Sequence, residues 1–156
     1  MPKIHVFVSW SGKKSKRLAK RLHQWLPSIV PSVKVFFSSA IDPGVQWADR
    51  VSRAIEDNHF AILCVARNNL KSQWLNFEAG ALWKAKNKVN VCPLLLDLSP
   101  NDLKGPLALF QAKKFEKEDF KEICKLLAKK TSLNSEQLEN NFKAVWPQLK
   151  KKAKKD

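Results

Sequence analysis

The sequence is short of the residues that staple or metallate small domains. Its three cysteines, Cys64, Cys92 and Cys124, are an odd number at wide spacing, which no disulfide framework requires. Cys64 and Cys92 sit inside apolar runs, where a thiol behaves as a small core residue of a reducing compartment. His5, His23 and His59 are scattered, and no Cys/His pair has metal-ligand spacing. No apolar run approaches the roughly 20 residues of a membrane-spanning helix. No signal peptide precedes the first strand-like run. The expectation is a cytoplasmic protein without a membrane span, a structural metal or a disulfide scaffold.

Acidic residues are also scarce: 14, against 29 lysines and arginines, for a net charge of +15. Much of the excess lies on the exposed face of a first helix (Lys13, Lys14, Lys16, Arg17, Lys20, Arg21) and in a tail (Lys150 to Lys152, Lys154, Lys155). Neither stretch carries interleaved aromatics or a nucleic-acid motif, so a solvated face and a basic tail are the preferred reading. Weak, non-specific attraction for polyanions follows, with no specific nucleic-acid partner.

What is present is enough for one compact domain: 156 residues, 44% of them hydrophobic. Ile4 to Val8 reads as a strand, ended by Ser9-Trp10-Ser11-Gly12. Leu18, Leu22, Trp25, Leu26 and Ile29 then repeat at helical spacing, with Pro27 and Pro31 expected to close that helix. Val33 to Phe37 is a second strand. Asp42-Pro43-Gly44 is a turn, because Pro43 fixes φ and Gly44 tolerates positive φ. A second helix is expected from about Trp47 to Asp57.

Phe60 to Ala66 is apolar without alternation, as in a strand buried on both faces. Val89 to Leu96 is a fourth strand, in which Pro93 implies a bulge or an edge. Leu109 to Lys113 is expected as a short fifth strand. Glu118 to Lys130 reads as a helix with Phe120, Ile123, Leu126 and Leu127 inward. Ser135 should cap a last amphipathic segment, with Leu138, Phe142, Val145, Trp146 and Leu149 on one side and Pro147 kinking or ending it. Strand and helix alternate throughout, so the fold class is α/β, a parallel sheet with helices on both faces.

In such folds ligands bind beyond the carboxyl ends of the strands, where strand order reverses. The strand-end segments are Ser9 to Gly12, Ser38 to Trp47, Arg67 to Trp74 and Asp97 onwards, and the first three are rich in small polar residues and tryptophans. Indoles stack on a planar base, and serines bond to sugar or phosphate oxygens. Next in the chain comes the helix-forming stretch Lys71 to Lys88. Trp74, Glu78, Ala81, Leu82 and Ala85 fall on one face of it. A lone carboxylate in an apolar stripe is costly unless paired or used. An ion pair with Arg67 or a distant lysine is the blander account of Glu78. Core packing is the blander account of Trp74, and capping or backbone bonding that of Ser9, Ser11 and Ser38. Asp42 is more simply a residue that shapes its turn.

Taken in order, IHVFVSWS, VFFSS, the Ile41-Asp42-Pro43-Gly44 loop and NNLKSQWLNFEAGAL resemble a TIR domain of the bacterial type, over about Ile4 to Leu96. The resemblance implies a flavodoxin-like fold with a central parallel sheet of about five strands. It places the TIR domain in residues 1–130. Residues 131–156 are then a C-terminal amphipathic helix and a basic tail that is not a family feature, read either as a surface tail or as the start of a link to a sensor domain outside this chain. In many bacterial and plant members it also implies cleavage of NAD⁺ at the nicotinamide–ribose bond, with NAD⁺ as substrate and no cofactor. The family's catalytic glutamate falls on Glu78. Substrate contacts fall on Ser9, Trp10, Ser11, Phe37, Ser38, Trp47 and Trp74. Asp42, Pro43 and Gly44 belong to the loop through which copies assemble, and Pro43 and Gly44 resemble its Pro-Gly. The implied partners are further copies of the chain and a fused or separate sensor, in anti-phage defence. A non-catalytic TIR interaction module is the alternative. Two departures stand out: Ser38-Ser39 where many bacterial relatives have an acid, and Ala40-Ile41 where an arginine often precedes the turn.

Overall fold

The computed structural model describes residues 4–10, 12–39, 60–70, 76, 79–80 and 90–154, with the backbone alone at 37–39, 69 and 154. Five strands form one parallel sheet: β1 (Ile4–Trp10), β2 (Val33–Ser39), β3 (Phe60–Val65), β4 (Asn90–Leu95) and β5 (Lys113–Lys114), in the order β2-β1-β3-β4-β5. Three helices are described: α1 (Lys13–Ile29), α2 (Lys117–Ala128) and α3 (Ser135–Lys154). This is the flavodoxin-like arrangement expected for the fold. The helix expected from Trp47 to Asp57 lies outside the described residues.

Alternation along the strands divides the core in two. Val6, Val8, Ile62, Cys64, Cys92 and Leu94 face one layer, where they meet Leu18, Leu22 and Leu26 of α1, Phe120 and Ile123 of α2, and Phe142 and Leu149 of α3. Phe7, Ala61, Leu63, Val65 and Leu95 face the other, with Ala79, Leu98, Leu103 and Leu107. All three cysteines are buried and free. Burial pushes the thiol of Cys92 up to about 12 and raises those of Cys64 and Cys124, so they are packing groups rather than nucleophiles.

Pro27 does not close its helix as expected, and of the kink or end expected at Pro147 the end does not occur. α1 runs through Pro27 to Ile29, and α3 runs through Pro147 to Lys154. A proline removes one hydrogen bond from its helix. Here buried anchors lie on either side of each: Leu26 and Ile29 in α1, Trp146 and Leu149 in α3. Packing of those side chains outweighs the local loss.

Other boundaries shift for equally local reasons. β5 is only Lys113–Lys114, because Leu109 ends a 3₁₀ turn over Gly105–Leu109 and is exposed. In α2 the inward set is Phe120, Ile123, Cys124 and Leu127; Leu126 falls off that stripe and is 45% exposed. The cap of α3 is Asn134 rather than Ser135. Its Oδ1 accepts from Gln137 N at 2.8 Å while Gln137 Oε1 accepts from Asn134 N at 3.1 Å, a reciprocal cap.

Pro93 does not bulge β4, whose register with β3 is unbroken from Asn90 to Leu95. Leu96 N donates to Val65 O on the β3 side, and Leu95 O accepts from Phe115 N on the β5 side. By alternation Pro93 faces the β5 side, beyond the end of that short strand.

The C-terminal helix is built into the core. Phe142 and Trp146 stack at 5.6 Å, and both lie against Phe120. Asn141 Nδ2 donates to Ile29 O at 3.0 Å, joining α3 to the end of α1. Replacing the fully buried Phe142 by alanine is expected to cost about 3–5 kcal/mol, read as a lowered urea midpoint at unchanged slope.

Candidate nucleotide crevice at the strand ends

After β1 the chain goes to one side of it for β2 and to the other for β3, so strand order reverses at β1. The crevice beyond that reversal is where this sheet type holds ligands. Ser9, the penultimate residue of β1, has Ser38 as its Cα partner on one side and Leu63 on the other; Val8 pairs with Phe37. Ser9, Phe37 and Ser38 are thus neighbours on the sheet.

Ser9 and Trp10, adjacent in sequence, point to opposite layers. Ser9 is fully buried and shares its side of β1 with Phe7. Trp10 is 8% exposed and belongs to the core layer of α1, with Lys16 Nζ 5.4 Å from its ring centroid. Most of the indole is therefore committed to packing and to a cation–π contact. Ser11, Asp42, Pro43, Gly44, Trp47, Trp74 and Glu78 lie outside the described residues. Ala79, which follows Glu78 in the chain, is fully buried in the layer that Ser9 faces.

The turn from β1 into α1 depends on Gly12, at φ 92° and ψ 168°, a conformation open essentially only to glycine. Its carbonyl accepts Lys16 N at 3.0 Å and Ser15 Oγ at 3.3 Å. The first turn of α1 carries lysines and no acid. The partial positive charge of a helix N-terminus adds to theirs.

A polar lattice lines the β3–β5 side of the strand ends. Asp97, just after β4, accepts Arg67 N at 2.6 Å through Oδ1, and its Oδ2 lies 3.5 Å from Lys14 Nζ. One carboxylate thereby joins the ends of β4 and β3 to the start of α1. Asp102 Oδ2 accepts Ser99 N at 3.0 Å and lies 3.5 Å from an Arg67 guanidinium nitrogen. The Ser99 N–H above all holds Asp102 below the usual carboxylate range, against the opposing effect of desolvation and with the charge of Arg67 assisting.

Two clefts are described on this side. One, of about 350 Å³, is lined by Arg67, Asp97, Ser99, Asp102 and Glu116 among others. The other, of about 610 Å³, lies between Arg67, Leu70, Asn76, Asn101, Lys104 and Gly105. Sequence reasoning marked Arg67 and Asp97 as strand-end positions without joining them. The Ser99-Pro100-Asn101-Asp102 spacing is a legible capping pattern; the Asp97–Arg67 contact, between residues 30 apart, has no local signature.

A parallel five-stranded sheet of this order, with polar residues at its carboxyl ends, defines an α/β domain of the flavodoxin-like type. The TIR domain family matches residues 6–127, and the chain belongs to that family. Among solved structures, it is similar to the TIR domains in a structure of the activated Roq1 resistosome directly recognizing the pathogen effector XopQ. The identity is 16% over 94% of this chain and 83% of that one, at a TM-score of 0.49. No curated protein matches the chain.

Two outcomes are expected of the polar lattice. Asp97→Ala should lower stability by about 1.5–3 kcal/mol, the range for hydrogen bonds to charged groups, measured by urea unfolding. For Asp102 the folded pKa lies below the ordinary 3.8. Its contribution is present above about pH 4 and is lost as pH falls through the lowered value. Asp102→Asn should therefore show a smaller loss of melting temperature than the parent between pH 4 and pH 2.

Proposed function

We propose that this TIR domain is an NAD⁺ glycohydrolase or cyclase, switched on by self-assembly, that serves as an effector of bacterial anti-phage defence. The observation that carries the reading is family membership across a span that includes Ser9, Phe37, Ser38 and Glu78. The meeting of Ser9 and Ser38 at the reversal of strand order supports it.

The reaction needs little machinery. Nicotinamide leaves as a neutral molecule, so no acid must protonate it. The barrier is positive charge developing on the ribose, as in other glycosidic cleavages. In our reading the Glu78 carboxylate holds the ribose hydroxyls and favours that charge electrostatically. Trp74 walls the site, Ser9, Ser11 and Ser38 bond to sugar or phosphate oxygens, and Trp10, Phe37 and Trp47 complete the lining. Water adds to the ribose carbon and releases a proton, giving ADP-ribose; an intramolecular nucleophile would give a cyclic product.

The loop at Asp42, Pro43 and Gly44 joins one copy to the next, so the site is completed by a neighbour and activity rises with assembly. A sensor, fused or separate, supplies the trigger, and the setting is the cytoplasm. Among the described residues no helix is long and apolar enough to cross a membrane.

At high protein concentration or with a crowding agent, the chain should release nicotinamide from NAD⁺, and Glu78→Gln should lower the rate by at least 100-fold with an unchanged melting curve. The expected factor follows from the roughly 2.7–4 kcal/mol that one electrostatic group in an active site contributes. Absence of release under every assembling condition would establish the non-catalytic interaction module instead.

A further inference from the structure

The two basic segments of the sequence are brought together by the fold. α1 carries six basic residues and no acidic one. In α3 the acids Glu136 and Glu139 lie near the start, and every charged residue from Lys143 to Lys154 is a lysine.

The direction of α3 decides where those lysines lie. Asn141 meets Ile29 at the carboxyl end of α1. Beyond Asn141 the helix continues for about 20 Å at 1.5 Å per residue, and Leu149 and Ala153 on that stretch are fully buried in the layer that α1 covers. A helix running off the end of α1 would leave them in water. α3 therefore runs back along α1, and its lysine-rich half lies beside the basic half of α1. Lys13 and Lys20 on α1, and Lys143, Lys150, Lys151 and Lys152 on α3, are all exposed.

From this juxtaposition we infer that the paired outer faces of α1 and α3 bind the phosphate backbone of a nucleic-acid duplex without sequence preference. The charge is complementary, and the spacing of adjacent packed helices, about 8–10 Å, offers two basic rows to a lattice of phosphates. The fold gains only in part from this arrangement: the Lys14–Asp97 pair, the Lys16–Trp10 contact and the lysines at the carboxyl end of α3, which suit its dipole, stand against unfavourable neighbours. Like charges on neighbouring helices repel, and lysines in the first turn of α1 oppose its dipole. An anionic membrane is less well matched. Surface-seeking helices present an apolar face to the bilayer, whereas the apolar faces of α1 and α3 are in the core. The exposed large hydrophobic residues among those described, Phe36, Leu109 and Leu126, lie on other elements. A backbone-only contact also fits the lysine-dominated composition, since lysine acts as a point charge toward phosphate rather than a reader of bases.

The test is fluorescence anisotropy of the full chain with two labelled 30-base-pair DNA duplexes of unrelated sequence. Both should bind equally at 50 mM salt. With about five phosphates neutralised, affinity should fall by roughly 500-fold between 50 and 200 mM, given a logarithmic slope near −0.9 per phosphate. Reversing Lys20, Lys143 and Lys151 to glutamate should weaken binding by at least 50-fold at 50 mM with a retained melting transition. Reversing Lys34, Lys104 and Lys117, which changes net charge equally on other elements, should weaken it less than fivefold. Three results would overturn the inference: no binding at 50 mM salt, equal losses from both triple variants, or tight capture by phosphatidylserine vesicles that excess duplex does not displace. Nicotinamide release plays no part in these measurements, so their outcome is independent of the proposed enzymatic activity.

Discussion

Everything in this domain is referred to β3. Its six residues are buried on both faces, which is possible only if neighbours pair along both edges and a packed layer covers each side. β1 and β4 supply the edges. α1, α2 and α3 cover one side; Ala79 and the segment Leu98 to Leu107 contribute to the other. The same strand fixes the site. β3 lies against β1 on the flank away from β2, so it flanks the reversal of strand order where this sheet type holds ligands. A polar change within β3 would therefore loosen both layers and the mouth of the site together.

The parts of the fold legible in the sequence were those with a short-range cause. FAILCV announced a doubly buried strand, and the stripe Leu138, Phe142, Val145, Trp146, Leu149 announced the buried face of α3. Where local rules misled, a tertiary contact had outweighed them. Pro27 marked a helix end that buried neighbours carried through, and at Pro147 the helix likewise continued rather than ending. Leu126 looked inward by composition and is outward by phase. The pairing of Ser9 with Ser38 followed from the strand order, but their sharing of a crevice with Glu78 rests on the family resemblance, since helical spacing alone marked that acid only as unusual. The Asp97–Arg67 bond was invisible because nothing local distinguishes a strand-end aspartate that reaches across the sheet from one that faces water.

The family match ends at residue 127, whereas the packed core does not. Phe142, Trp146 and Leu149 complete the layer above β1 and β3, and α3 shields α1 along most of its length. A domain defined by its recognisable motifs is in this case smaller than the unit that buries its own hydrophobic surface. The same helix carries both functions of the C-terminal segment: its inner face closes the core, and its outer face collects charge.

Pro93 bears on how the domain behaves in company. β4 is paired on its outer edge by a strand of two residues; upstream of that contact no described strand pairs with this edge, and Pro93 there is buried. Strand addition there would need a continuous row of donors, and the imide of Pro93 removes one rung from the ladder. A protein proposed to act by ordered assembly has a particular need to avoid disordered aggregation. This edge favours contacts made through side chains and loops over indiscriminate sheet extension.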